Sequence, residues 1–249
     1  MTVHFVGAGP GAADLITLRA ASLLAAADVV LYPGTYLDAE VLAHCPDARQ
    51  VDTQALDLDQ ITAVMVSAAA DGLEVVRLTS GDPSLYSALA EQTARLDAAG
   101  VGWDVCPGVP AYAAAAAVVG RELTVPLVAQ SVVLTRTQAR STAMPASESL
   151  SAFAATRATL VLHLAITKAR ELAAELVDEY GADCPVVVVY RASQPDELVL
   201  RGTLADIADQ VEEAGLRQAA VILVGRALAR DGGESWLYTL DRPRQPSAG

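Results

Sequence analysis

Two β-branched apolar runs each break off into a loop of glycine and proline, which ties the chain to folds whose strands end together at one edge of a sheet. The first run, Val3-His4-Phe5-Val6, is followed by Gly7-Ala8-Gly9-Pro10-Gly11. The second, Val75-Val76-Arg77-Leu78, is followed by Thr79-Ser80-Gly81-Asp82-Pro83-Ser84. Short apolar runs bounded by turn residues read as buried parallel strands. Ligands bind outside the carboxyl ends of such strands. Glycine lets the main chain come close to a ligand, and proline fixes the turn. Two such loops feeding one sheet edge point to a small-molecule site.

The rest of the first half alternates strand and helix. Strands are expected at 29–32 and 103–106. Helices are expected at 15–26 after Asp14 as N-cap, at 58–70 after Asp57, at 84–99 with Gly100 closing it, and over the alanine-rich 112–119. This is a doubly wound α/β layout. The second half continues the style, with strands at 131–135, 159–164, 186–190 and 220–224. Its helices are expected at 167–179, stopping at Gly181, and at 204–214. Pro126 and the loss of any period between 121 and 130 mark a domain junction. The expectation is therefore two α/β domains forming a ligand cleft: an N-terminal domain at 1–120, a C-terminal domain at 121–241, and a disordered tail at 242–249. The Ser-, Thr- and Pro-rich stretch 138–149 reads as a loop over the surface or over a ligand.

Several function classes fall away. A dinucleotide fingerprint needs glycine at its first, third and sixth positions, whereas here the glycines are Gly7, Gly9 and Gly11, with Ala12 sixth. Pro10 also removes an amide that would face a pyrophosphate, and Asp28 precedes its strand instead of ending it. A formal net charge of -13 argues against non-specific nucleic-acid binding. No apolar run approaches the roughly 20 residues that span a bilayer, and no export signal is visible, so a cytoplasmic protein with no membrane partner is expected. Cys45, Cys106 and Cys184 are odd in number and widely spaced, which fits buried thiols and no metal site. Lys168, the single lysine, reads as a surface residue, His4 and His163 as core residues, and His44 as a solvated one.

No nucleophile–base constellation is visible, and no catalytic acid or base is assigned. A reaction that needs positioning more than proton transfer suits such a chain. Methyl transfer from a sulfonium donor is one, because the donor is already activated and the displacement is in line.

Gly7-Ala8-Gly9-Pro10-Gly11, Gly81-Asp82-Pro83-Ser84-Leu85-Tyr86 and Pro107-Gly108-Val109 together resemble the tetrapyrrole methyltransferases that use S-adenosylmethionine. The similarity runs to about Arg226. Glu122-Leu123-Thr124-Val125-Pro126, the stretch from Gln130 to Arg136, Tyr190-Arg191-Ala192-Ser193-Gln194-Pro195-Asp196-Glu197 and Arg201-Gly202-Thr203-Leu204 look like the branch that methylates C-11 of precorrin-4 in cobalamin (vitamin B12) biosynthesis. The resemblance implies a homodimer with S-adenosylmethionine folded into the cleft between two domains, and no metal. It sets Pro10 against the donor, with Ser80, Gly81 and Asp82 at its methionine end and Leu85 nearby. Pro110 and Ala111 follow the third strand-end turn. Leu164 and Ala192 line the adenosine pocket, with Ala220 close to them.

Tyr86 and Tyr112 are candidates to pack on the macrocycle, and Arg136, Arg140 and Arg191 are candidates for its carboxylates. Asp82 has a second reading as a helix N-cap, with Pro83 at the first helical position. Two departures bear on substrate specificity: Pro110-Ala111 where related members have Ser-Ser, and Ala139 where the branch has glycine. A cobalt-containing substrate, another ring position and a diphthine-synthase-like activity stay open. So does a non-catalytic module that binds the nucleoside or the tetrapyrrole.

Overall fold

The apolar runs of the first half lie side by side with a polar strand at Arg49–Asp52, which the sequence reading did not anticipate, as five parallel strands. These are β1 (Thr2–Gly7), β2 (Val29–Tyr32), β3 (Arg49–Asp52), β4 (Val75–Thr79) and β5 (Gly102–Cys106), in the order β3-β2-β4-β1-β5. The computed structural model describes residues 2–34, 37–137 and 143–229. The chain divides into two units: Met1–Val118 with Arg191–Glu197, and Val119–Tyr190 with Leu198–Gly249. Segment 191–197, placed by the sequence reading in the C-terminal half, thus belongs with the first unit. The tail at 242–249 lies outside the described residues.

Strand alternation explains the layering of the first unit. Val6, Val30, Val76 and Leu78 face one side, packing with Ala20 and Leu24 of α1 (Leu18–Ala26). Val3, Phe5, Val29, Leu31 and Val75 face the other, against Ile61 and Met65 of α2 (Leu58–Ala70) and Leu96 of α3 (Leu89–Ala98). With helices on both faces, strands read as near-continuous apolar runs. The α2 start is as expected: Asp57 accepts from the Gln60 amide at 2.8 Å while Gln60 returns the bond, a complete capping box. The start of α1 differs. Residues 13–15 form a separate 3-10 turn, and Thr17 rather than Asp14 caps the helix. His4 is mostly buried and has polar partners. Its Nδ1 lies 2.7 Å from Asp104 on neighbouring β5, and its Nε2 lies 3.5 Å from Glu74.

The second unit is not doubly wound. Its strands β6 (Val132–Arg136), β7 (Thr159–His163), β8 (Pro185–Tyr190), β9 (Leu198–Thr203) and β10 (Ala220–Val224) run in the order β6-β7-β10-β8-β9. Only β6 and β7 are parallel. The last strand, β10, inserts antiparallel between β7 and β8, and β8 pairs antiparallel with β9. Leu160, Leu162, Val186, Val188, Ile222 and Val224 form one core with α6 (Ala169–Tyr180) and α7 (Ile207–Glu213). Residues 202–203, read as a helix start, instead end β9, because pairing with β8 claims them. Between β5 and β6 lies α4 (Ala111–Val119). A short helix, α5 (Leu150–Ala154), follows β6. No described helix is long and apolar enough to cross a membrane.

Candidate functional site

The glycine loops of the first unit meet main chain to main chain at the carboxyl ends of β1, β4 and β5. Gly9 and Gly81 form a two-way antiparallel bridge, the Gly81 amide donating to Gly9 O at 2.7 Å and the Gly9 amide to Gly81 O at 3.2 Å. Both need left-handed backbone, with φ of 79° and 69°. A Cβ on Gly7 would lie 2.5 Å from Gly108 N and 2.7 Å from Gly81 O, so any side chain there collides with two neighbouring loops at once. At Gly81 the same test finds nothing closer than 3.5 Å, the amide nitrogen of Ala111. Pro110 and Ala111, at the start of α4, therefore face the second loop, as the expected third strand-end turn requires.

Asp82 ties these loops together. Its Oδ2 accepts from the Gly108 amide at 2.8 Å, and its Oδ1 accepts from the Ser84 amide at 2.8 Å and from the Ser84 hydroxyl. Burial pushes the carboxyl up, but the hydrogen bonds from the Ser84 hydroxyl and from the Gly108 and Ser84 amides together outweigh it and hold it below the ordinary carboxylate value. The helix-cap reading of Asp82 fails, since α3 begins only at Leu89. Between them Tyr86 and Ala88 turn left-handed, at φ 53° and 54°.

That turn is held from below by Arg77, a buried cation on β4 to which the sequence reading gave no role. Its Nε donates to Gln92 Oε1 at 3.1 Å, and its Nη1 donates to Thr53 Oγ1 and to Leu78 O. Gln92 in turn donates to Ser87 O and Ala88 O, and Thr53 donates to Tyr32 O. The acceptors Gln92 Oε1, Thr53 Oγ1 and Leu78 O are all neutral, and burial lowers the guanidinium pKa to about 10, which leaves it charged at neutral pH. It links the ends of β2 and β4 to the loop that carries Leu85 and Tyr86.

Segment 191–197 returns to the first glycine loop. The Ala12 amide donates to Ser193 Oγ at 3.1 Å, and Gln194 Nε2 donates to Pro10 O at 3.3 Å. Pro10 is buried, as is Ala192. The amide of Ala8 is taken by Thr79 O and that of Gly9 by Gly81 O. With proline at 10 and the Ala12 amide also engaged, these positions leave no fan of N–H groups for a pyrophosphate. Arg191 donates to Asp196 Oδ1 at 2.6 Å, so its charge already has a carboxylate partner.

In the second unit, strand register brings its candidates to one sheet edge. Arg136 pairs with His163, and Leu164 follows directly. Ala220 pairs with Tyr190, and Ile222 with Leu162, so the start of β10 lies at the end of β7 and β8. Leu164 is 60% exposed at φ 52°, and Ala219 stands at φ 53°. Leu164, Arg191 and Ala219, each next to the end of β7, the end of β8 or the start of β10, all stand at positive φ. Such strain costs about 1–3 kcal/mol per residue and concentrates where function requires it. Burial pushes the His163 imidazole pKa down, which favours its neutral form. Tyr112 lies on α4, while Arg140 lies outside the described residues. Lys168 pairs with Glu171, and the three cysteines are free and buried. Among the described residues no group of His, Cys, Asp and Glu side chains is placed to hold a metal ion. The arrangement offers main-chain groups, small side chains and fixed loops, which suits holding a preactivated ligand.

Residues 2–208 match the family of tetrapyrrole (corrin/porphyrin) methylases. The chain is 55% identical to a precorrin-4 C(11)-methyltransferase from Rhodococcus erythropolis, covering 98% of this chain and 99% of the relative. Its fold is similar to the X-ray structure of a cobalt-precorrin-4 methyltransferase of cobalamin biosynthesis, with TM-score 0.88 and 38% identity over 92% of this chain and 96% of the other. It is also similar to a uroporphyrin-III C-methyltransferase from Thermus thermophilus complexed with S-adenosylhomocysteine, with TM-score 0.77 and 30% identity over 92% and 93% of the two chains.

Proposed function

The chain belongs to the tetrapyrrole (corrin/porphyrin) methylases, and we propose that it transfers the methyl group of S-adenosylmethionine to C-11 of precorrin-4, giving precorrin-5 and S-adenosylhomocysteine. The observation that carries this reading is 55% identity, over nearly both full lengths, to a precorrin-4 C(11)-methyltransferase. The identity to the cobalt-precorrin-4 enzyme is lower, at 38%, which favours the metal-free substrate.

The site supports the chemistry. A carbon–carbon bond forms at C-11 as the methyl–sulfur bond breaks, the electron pair of that bond returns to sulfur, and the sulfonium becomes a neutral thioether. The positive charge passes to the macrocycle, which then loses a proton. Orientation and exclusion of water supply the acceleration. Pro10 would lie against the donor, Ser80, Gly81 and Asp82 would meet its methionine end with Leu85 nearby, and Pro110 and Ala111 would complete the donor site after the third strand-end turn. Leu164, Ala192 and Ala220 would receive the adenosine. Tyr86 and Tyr112 would pack on the ring, and Arg136 would meet a carboxylate at its edge.

Calorimetric titration with S-adenosylhomocysteine, with NADH as control, is expected to show binding of the first alone. Turnover is expected to be faster on precorrin-4 than on its cobalt-loaded form, with the two assayed side by side. Binding without turnover on either tetrapyrrole would favour a carrier module instead. Arg136→Ala is expected to raise KM for the tetrapyrrole about tenfold, the loss of one charge-assisted contact, and to leave the Kd of S-adenosylhomocysteine unchanged. A selective loss of donor affinity would show that Arg136 serves the donor.

A further inference from the structure

Ser193 and Gln194 occupy an unusual place. They lie 181 and 184 residues along the chain from the main-chain groups they bind, in a segment that leaves β8, reaches the first glycine loop and returns to form β9. We infer that this seven-residue strap is a positioning device for the loop of Gly9 to Ala12, with Gln194 as its principal contact. The inference rests on the reading of that loop as the donor's binding element.

Three observations support it. First, the strap is ordered by its own acidic residues. Glu197 Oε2 accepts from the Ser193 amide at 2.6 Å, and Asp196 pairs with Arg191. These contacts hold Arg191 and Ser193 at φ 47° and 67°, a backbone that branchless glycine adopts freely and these residues do not. Second, the strap takes the polar groups that the loop would otherwise offer to water, the Pro10 carbonyl and the Ala12 amide. A loop so satisfied presents the Pro10 ring in one position. Third, Gln194 explains Gly11. A Cβ there would run into Gln194 Cγ and stand 2.9 Å from its Nε2. Gly11 carries no positive φ, so the side chain above it, and not the backbone, demands glycine.

Gln194 and Ser193 are positioning residues, because they act on the donor through Pro10 and Ala12. Gln194→Met keeps the length and removes the hydrogen-bond donor. It is expected to raise the Kd of S-adenosylhomocysteine about three- to tenfold, the worth of one hydrogen bond, and in turnover to raise KM for the donor while kcat holds. A bond with a merely structural role would lower Tm and leave Kd and KM where they were, and that result overturns the proposal. Gly11→Ala should harm binding at least as much as Gln194→Met, yet add nothing further on top of Gln194→Ala, since the collision is then gone. Equal effects of Gly11→Ala in both backgrounds would mean that Gly11 serves the ligand directly, and would overturn the strap's role. A wild-type chain that binds no S-adenosylhomocysteine overturns the donor reading itself. Wild-type binding with all variants unchanged overturns only the strap.

Discussion

Gly108→Ala is expected to cost more than about 3 kcal/mol of stability and to abolish donor binding, through the addition of a single methyl group. The new Cβ would press on the carbonyl oxygen of Gly81 and stand 2.8 Å from both C and Cα of Gly7. Every atom it meets is main chain. A flexible side chain can swing away, but these three segments are anchored in neighbouring strands of one sheet. Relief requires moving β5 or the Gly81 loop, and moving Gly81 breaks its bridge to Gly9. Gly72→Ala is the control. Gly72 has φ 80° with nothing within 4 Å of a built Cβ, so its cost is backbone strain alone, about 1–2 kcal/mol. Urea denaturation of the two variants separates packing from strain. If Gly108→Ala loses no more than Gly72→Ala, the loops are not the interlocked unit described above.

These loops were legible in the sequence because glycine and proline act locally. A break after Val6 or Leu78 needs no knowledge of the partner strand, and the Asp57–Gln60 capping box is likewise written within four residues. What escaped depends on distant groups. The helix expected at 84–99 starts only at Leu89, because Tyr86 and Ala88 are bent left-handed and Arg77, through Gln92, fixes the carbonyls around them. Nothing in the local pattern of 84–88 carries that. Strand β9 was missed for a similar reason: Gly202 and Thr203 read as a helix start, yet Gly202 pairs with Val186. Arg191, a candidate for the substrate's carboxylates, pairs with Asp196 five residues on. Strand register places Leu164 and Ala220, two candidate donor residues, at one edge of the second sheet. Their roles stand as proposals. Gly11 offered the one cue to the strap, a glycine in the first loop that the bridge to Gly81 does not itself use.

Asp82→Ala is the second large effect, and it falls on ligand and fold together. The substitution strips the Gly108 amide and the Ser84 amide of their acceptor. An unsatisfied donor costs about 1–3 kcal/mol where water cannot reach it. Asp82 is only half-buried, so water recovers part, and a net loss of about 2 kcal/mol is expected. The larger consequence is for the donor. Without the carboxylate the bond between the Gly81 loop and the Gly108 amide is lost, and the Kd of S-adenosylhomocysteine is expected to rise at least about tenfold, roughly 1.4 kcal/mol. The pH dependence checks the same bond from another side. The folded pKa of Asp82 lies below its ordinary value of 3.8, so its contribution is complete above that value and drains away as pH falls through the depressed folded one. Wild type should therefore lose more stability than Asp82→Ala when acidified from about pH 5 to about pH 3, the window in which such a carboxylate titrates. The two stability curves should draw together there. A folded Asp82→Ala protein with unchanged donor affinity would remove Asp82 from the ligand site. Parallel acid curves would remove it from the stability of the loops.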